Sequence, residues 1–435
     1  MSGRDADAGL DLGVNLQGFG QRPAAWRTQD VAATDLIGAA FWEHLGRTAE
    51  RGLLDMVFLA DHPSYSDPNV RAYGLLEPFV ALGVIAGATT HLGLVGTAST
   101  TYNDPVELAE RTLSLDTISG GRTAWNAVTT YDRSVSANFG VDRNPDRPER
   151  YARAGEFVDL VQALWRSAAT GEDVRFRGEF LAHEGGPLRV PPSAQGHPVV
   201  FQAGGSPHGR DLAARVAEAV FAVELTPEPA REHHREVKLA AETYGRRSSD
   251  VAIVPGLSLV LGSTEAEARA RFDHLESLAP DGYALRALGT HLDADLSDLP
   301  LDAPIPAWIL DRQVDPVTYG PSLGYHETVV RWVRAHNTTL RDVLRGFGGY
   351  GARIVVGTPE QAADTIEDWY RSRAADGINL MIDEFPRGLE TVVDELVPIL
   401  QERGVFHREY EHTTLRGRLA ARARDAARPT RGPST

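Results

Sequence analysis

Gly121–Gly140 reads GRTAWNAVTTYDRSVSANFG: an apolar strand that turns polar at Asn126, then offers Thr129, Thr130, Tyr131, Asp132 and Arg133 where a strand passes into a loop. Strand ends are where α/β proteins keep their chemistry. The fold depends on whether this strand is solitary or one of a series.

Toward the N-terminus, β-type runs occur at Leu10–Leu16, Asp55–Ala60 and Leu92–Thr97, separated by helical patterns. The first helix, around Asp35–Arg51, places Leu36, Ala40, Phe41 and Leu45 on one face, and Glu77–Ala88 is almost wholly apolar. Asp104-Pro105 opens another helix, with Asp104 as N-cap and Glu107 at capping-box spacing. Toward the C-terminus a further helix start follows Tyr151, residues 171–197 suggest a β-hairpin excursion, and strands follow at Pro198–Ala203, Ala219–Val223, Val251–Val260 and Ile378–Ile382. Thr264-x-x-Glu267 and Thr358-Pro359-x-Gln361 are helix starts, the second helix carrying Ala362, Ile366 and Trp369 on one face. Eight strands alternating with helices predict an α/β chain folded as a single (β/α)8 TIM barrel over 1–411, with an insertion at about 280–350 that is a candidate lid. The Arg-rich tail, 412–435, reads as a solvated or partner-draped end.

Composition narrows the partners. A net charge of −16 over 435 residues argues against nucleic acid and anionic membrane surfaces, leaving a small molecule or another protein. With no cysteine, disulfides, thiolate nucleophiles and thiolate metal sites are excluded, and the expected compartment is the cytoplasm. The N-terminus has no signal-peptide apolar core, and no run approaches the roughly 18 apolar residues of a membrane span.

In a barrel the strand C-termini converge on one mouth. Here they supply Gln17, Asp61, Thr97 to Ser99, Asn126 to Thr130, Gly204 to Ser206, Glu224, Ser258 and Asp383, a polar set without a metal cage. Gly204-Gly205-Ser206-Pro207 is the sharpest element: glycines let backbone amides approach an anion, Ser206 can cap the helix or bind phosphate, and the helix dipole adds attraction. Tyr151 can add a second phosphate donor, or be a packed surface tyrosine. Asp61 and His62 can bind a ring, act as acid and base, or form a turn, while Asp104 is accounted for by capping. Trp26, Phe19, Tyr65 and Tyr73 can line an aromatic mouth or pack loops.

Three patterns fail on context. Gly346-x-Gly348-x-x-Gly351 follows a helix and precedes a β-run, the reverse of the dinucleotide order. His233, His234 and Glu236 lack HExxH spacing and read as a solvated helix face. Gly204 to His208 lacks the second glycine of a nucleophile elbow.

The stretches RGLLDMVFLAD (51–61), TASTTYNDP (97–105), LDTISGGRTAWNAVTT (115–130), ERYARAGEF (149–157), FQAGGSPHGR (201–210), VVGTPEQAADTIEDWY (355–370) and DGINLM (376–381) closely resemble the bacterial luciferase-like flavin monooxygenases, in the nitrilotriacetate, pristinamycin and dibenzothiophene-sulfone branch. The resemblance implies a two-component enzyme in which reduced FMN activates O2 at C4a and a small organic substrate is oxygenated. It implies that Asp61, Thr97, Ser99 and Asn126 contact the flavin ring and ribityl chain, and that Tyr151, Gly205 and Ser206 grip the phosphate. Arg147 stands where many members have His, a permanent cation still suited to phosphate. Asp104 stands where some have a substrate-side His, and Ala124 where Gly is usual, leaving the catalytic groups unassigned. Because no dinucleotide-binding unit is legible, a separate NAD(P)H:flavin reductase is the expected partner, and the resemblance implies a homodimer or homotetramer. A deazaflavin (F420) oxidoreductase on the same barrel and a catalytically silent flavin-binding barrel remain alternatives.

Overall fold

The computed structural model describes residues 9–22, 24–28, 33–61, 76–130, 133–142, 145–279, 282–321, 323–336, 338–347 and 352–426. Its strands are β1 (Asp11–Asn15), β2 (Met56–Leu59), β3 (Gly93–Ser99), β4 (Thr123–Val128), β5 (Val174–Arg177), β6 (Ala182–Gly185), β7 (Val199–Gln202), β8 (Ala219–Ala222), β9 (Ala252–Leu261), β10 (Arg353–Gly357) and β11 (Gly377–Ile382). Nine lie in one parallel sheet ordered β10-β9-β11-β1-β2-β3-β4-β7-β8, and the additional β9–β8 pairing closes it. Removing β10, which is not part of the ring, leaves the eight-stranded TIM barrel that the alternating pattern predicts.

β10 is the strand that the sequence count omits. The first part of β9, from Ala252 to Pro255, pairs with β8, and its last part, Leu257 to Leu261, pairs with β10. With β11 occupying the other edge of β9, β10 continues the line of β8 above the ring. Arg353 to Val356 are only half-buried there, although α8, α12 and α13 pack against the strand.

Helices enclose the ring: α1 (Ala39–Arg51), α2 (Pro78–Ala88), α3 (Pro105–Ile118), the short α4 (Arg133–Asn138), α5 (Arg147–Thr170), α6 (Pro207–Val216), α7 (Pro227–Thr243) and α8 (Glu265–Ser277). Local chemistry sets their starts. Asp104 Oδ1 accepts from the amides of Val106 and Glu107 at 2.8 and 3.0 Å, and Thr264 caps Glu267 at 3.2 Å. α5 begins at Arg147, a full turn before the expected start, because Asp146 occupies the N-cap position and Pro148 is accommodated in the first turn. Tyr151 therefore lies inside the helix. The expected excursion is the antiparallel β5–β6 hairpin, whose turn is anchored where the Glu156 carboxylate accepts from the amides of Glu179, Phe180 and Leu181 at 2.6 to 3.0 Å.

Between α8 and β10 lie α9 (Tyr283–Leu292), α10 (Ala307–Leu310), α11 (Leu323–His336) and α12 (Leu340–Phe347). They form their own core from Leu288, Leu292, Ile305, Ile309, Val329, Val333 and Val343. The segment is more helical than the two pieces its Pro- and Gly-rich sequence suggests. Gly348 and Gly351 of the failed dinucleotide pattern lie outside the described residues, but α12 before them and β10 after them follow the order read from the sequence.

The chain returns through α13 (Pro359–Arg371), capped reciprocally by Thr358 and Gln361, to β11, and then α14 (Arg387–Thr391), α15 (Val397–Glu402) and α16 (Leu415–Ala426). α16 departs from the expectation of a solvated or partner-draped end at Leu415 and Leu419, while 427–435 lie outside the described residues. Leu415 and Leu419, one helical turn apart, join Met56, Phe58, Val95, Ala124, Val199, Ala219 and Ala252 in the barrel interior at the N-terminal ends of the strands. Arg416 seals the join: Nε and Nη2 bind the two oxygens of Glu218 at 2.6 and 2.8 Å, and Nη1 reaches the His197 carbonyl at 2.9 Å. Composition concealed this role because two leucines suffice to fill the opening while the arginines surround it.

Candidate active site

Strand alternation decides what faces into the barrel. On β4, Trp125 and Ala127 pack outward against helices, so Ala124, Asn126 and Val128 point inward; on β3 the same logic turns Val95, Thr97 and Ser99 inward. Thr97 pairs with Asn126 in register, and Asn126 Nδ2 donates to Thr97 Oγ1 at 3.0 Å. The other amide atom, Asn126 Oδ1, is buried and meets no partner among the described residues. The same holds for Asn15 Oδ1 on β1, Ser258 Oγ on β9 and both amide atoms of Asn379 on β11, which are also inward positions. Buried polar atoms are almost always paired. Several unpaired ones in one barrel interior define a polar surface with donors and acceptors to spare, beneath which Phe58, Phe201 and Phe221 fill the ring with centroids 5.6 to 6.1 Å apart.

Ser99 is engaged differently. Its hydroxyl lies 2.7 Å from Thr130 Oγ1 and accepts from the Thr101 amide at 3.0 Å, which ties the β3 loop to the β4 loop. Asp61 lies two residues past the end of β2 and is half-buried. His62, Tyr65, Tyr73, Tyr131 and Asp132 lie outside the described residues.

Beside this surface β7 ends in the Gly204-Gly205-Ser206 loop. β4 and β7 are neighbours, with Asn126 opposite Phe201 and Ala127 opposite Gln202, so the loop lies just beyond the inward amide. Ser206 is buried and caps α6, accepting from the Gly209 amide at 3.2 Å. Gly204 is confined: a Cβ there would lie 2.6 Å from Gln202 Nε2, 2.8 Å from Gly209 Cα and 2.9 Å from the Tyr151 hydroxyl. Tyr151, whose ring stacks on His208 at 6.1 Å, therefore brings its hydroxyl to this loop. Gln202, missed in the sequence because it reads as an ordinary strand residue, brings a buried amide to the same place, and its Oε1 is unpartnered.

Arg147, expected beside the phosphate, is buried with its donors directed elsewhere. Its guanidinium donates to the carbonyls of Pro316, Tyr319 (2.6 Å) and Pro321 (3.0 Å). It ties α5 to the insertion next to Tyr151. The insertion also presses directly on the loop, since a Cβ on Gly324 would sit 2.7 Å from the Gly205 carbonyl oxygen.

Between this loop, the end of β8, α7 and the insertion is a cavity of about 470 Å³ lined by Ala203 to Gly205, Glu224, His233, His291, Tyr325 and Arg331 among others. Burial, with the His326 imidazole beside it, pushes His291 down to about 4, so it is neutral at pH 7. His233 corrects the expectation of a solvated face: it is buried against Glu224, Nδ1 to Oε1 2.8 Å. His234 is also partnered, 3.1 Å from Asp376. Sequence spacing could not show this, because Glu224 and Asp376 come from other elements.

Two other expectations at the mouth resolve into packing. Asp383 is bound by Arg271 at 2.6 Å and its other oxygen accepts from the Glu384 amide, so it serves structure. Phe19 is buried against Phe41, centroids 5.4 Å apart, and Trp26 lies under the Arg27 guanidinium. No group of three or more His, Asp or Glu able to hold a metal occurs among the described residues, and no helix among them is long and apolar enough to cross a membrane.

Comparison with known proteins agrees with this geometry. The family model for luciferase-like monooxygenases matches residues 27–377. The chain is 38% identical over 429 residues to N-acetyl-S-(2-succino)cysteine monooxygenase of Bacillus subtilis (strain 168), covering 94% of this chain and 95% of that one. It is 36% identical over 448 residues to nitrilotriacetate monooxygenase component A of Aminobacter aminovorans, covering 95% and 97%. The riboflavin lyase RcaE, solved with modified FMN and riboflavin, superposes with a TM-score of 0.80 at 28% identity, covering 95% of this chain and 96% of that one. With the barrel and this extent of likeness together, the chain belongs to the family of luciferase-like, flavin-dependent monooxygenases.

Proposed function

We propose that this chain is the oxygenase component of a two-component system, taking reduced FMN from a separate NAD(P)H:flavin reductase and using O2 to oxygenate a small organic substrate. The observation that carries the reading is the joining of an anion loop to a barrel interior with unpaired amides. Gly204 to Ser206, Tyr151 and Gln202 suit a phosphate, and Asn126, Asn15, Ser258 and Asn379 offer the donors and acceptors that the edge of a flavin ring requires. The FMN in the riboflavin lyase supports the choice of cofactor, and the component A in the name of the nitrilotriacetate relative supports a reductase partner.

In this reading Tyr151, Gly205 and Ser206 hold the phosphate, and Thr97 and Asn126 orient the ring; Ser99 holds the β3 and β4 loops, and Asp61 faces the mouth. Bound reduced flavin supplies the two electrons that activate O2. The chain's own contribution is placement and dryness. Arg147 and Gly324 fasten the insertion over the phosphate loop, so the insertion acts as a lid that keeps water from the reacting groups. The test mixes the protein with a flavin reductase, NADH, FMN and O2 and profiles products over small organic candidates, with binding of reduced FMN and of reduced F420 measured in parallel. Micromolar binding of reduced FMN and an oxygen-dependent product support the proposal. Preference for F420, or FMN binding without any product, would replace it with the hydride-transfer or silent-carrier alternative.

A further inference from the structure

One pair of groups in the cavity has no task in the flavin reading. Glu224, just past β8, and His233, on the second turn of α7, are 8% and 6% exposed, and both line the cavity. Glu224 Oε1 lies 2.8 Å from His233 Nδ1. A carboxylate accepts, so the nitrogen facing it donates, and the neutral ring is held as the Nδ1–H tautomer. Nε2 is then a lone-pair acceptor. It is buried and meets no partner among the described residues. An imidazole oriented by a carboxylate, with its second nitrogen unspent, in the wall of a cavity that also borders the Gly204-Gly205 loop, has the form of a general base.

We infer that His233 is the proton-transfer residue of this site, held in its working tautomer by Glu224, for a substrate presenting a dissociable N–H, O–H or heteroatom-activated C–H in the cavity. The inference rests on the monooxygenase reading, whose O2 and reduced flavin supply oxidant and reductant. In the step, the substrate's bond to hydrogen breaks and its electron pair stays on the substrate. The proton forms a new bond to His233 Nε2, Glu224 stabilises the imidazolium through the existing Nδ1–H contact, and the proton passes to solvent when the cavity opens. The other charged and titratable groups lining the cavity are Glu232 and Glu236 of α7, Arg210 of α6 (bound to Glu236 at 2.8 Å), His291 of α9, and Tyr325, Glu327 and Arg331 of α11. His234 belongs to a different network, with Asp376 and Lys238.

The experiment uses the full chain with reductase, NADH, FMN and O2, and whichever of N-acetyl-S-(2-succino)cysteine, nitrilotriacetate and riboflavin the wild type converts. His233→Gln is expected to lower kcat about 100-fold, to flatten its dependence on pH, and to leave the Kd for reduced FMN within about twofold. Glu224→Gln is expected to change the pH profile as well as kcat, and Glu224→Asp to restore part of the rate. A kcat for H233Q within about threefold of wild type overturns the inference. A second measurement needs no substrate: in protein labelled with 15N-histidine, the His233 resonances, assigned by their loss in H233Q, are expected to show the Nδ1–H tautomer near pH 7.5 and to change in E224Q. An Nε2–H tautomer in the wild type overturns the inference by itself. Failure to convert any compound counts against the monooxygenase reading and leaves the tautomer to decide this one.

Discussion

The two ends of the barrel use the same kinds of side chain to opposite effect. At the N-terminal end polar groups find one another: Asp116 accepts from the Thr123 amide at 2.9 Å and from Gln195 at 2.7 Å, and Arg416 clasps Glu218 beneath the plug of Leu415 and Leu419. At the C-terminal end Asn126, Gln202, Ser258 and His233 keep buried atoms that no described residue satisfies. The difference teaches that the closed end spends its polar groups on one another, whereas the open end keeps some unspent, the arrangement on which the proposed flavin site rests.

This contrast can be broken most sharply at the loop. Gly204→Ala forces a methyl between Gln202, Gly209 and Tyr151, and the expected result is a loss of about 100-fold in reduced-FMN affinity, near 2.7 kcal/mol, measured by anaerobic fluorescence quenching. A wild-type Kd would separate the loop from the phosphate. At the other end, Arg416→Ala leaves Glu218 half-buried without its cation and should cost about 2 kcal/mol of stability, seen as a lower denaturation midpoint with unchanged flavin affinity. If instead flavin binding falls and the midpoint holds, the two ends are not separate in function. Asn126→Ala removes an unpaired carbonyl together with the Nδ2 bond to Thr97, so the expected outcome is about tenfold weaker flavin binding, 1.4 kcal/mol, with stability lowered by no more than about 1 kcal/mol; a strongly destabilised protein with normal affinity would move Asn126 to the structural end.

The smallest effect concerns pH. Burial pushes the Asp116 carboxyl up to about 6, against the hydrogen bonds of Ser193, Thr123 and Gln195, from an ordinary 3.8. The folded state thus holds that proton more tightly than the unfolded chain between those values, and Asp116 contributes stability in acid that is lost as pH rises through the window. Compared with the non-titrating Asp116→Asn, the wild type should therefore lose relative stability from pH 4 to 6 and run parallel above 7 in urea titrations. A flat difference across the whole range would show that the carboxyl is not shifted.

Much of the fold was legible because its signals are local. Apolar runs followed by Asp104, Thr264 or Thr358 state where strands and helices begin, since capping and strand periodicity involve residues a few positions apart. The site was legible in part. Ser206 announced itself through two preceding glycines and a following proline, and Asn126 through a polar residue inside an apolar strand. Gln202 and His233 gave no such notice. Gln202 reads as the last residue of a strand, and His233 as one charged position on a charged helix, until Glu224, nine residues away on another element, is brought to it.

The sequence by itself therefore determined the alternation of strand and helix, the glycine-rich helix cap at Ser206 and, through the motifs it shares, the family. Only the tertiary structure decided that α16 plugs the barrel, that Arg147 reaches the insertion 169 to 174 residues away, that β10 extends the line of β8, and that Glu224 orients His233. The physical reason is range. Periodicity and capping act within a turn or two of chain, whereas burial and hydrogen-bond satisfaction are settled by whichever residues, however distant in sequence, come to share a space.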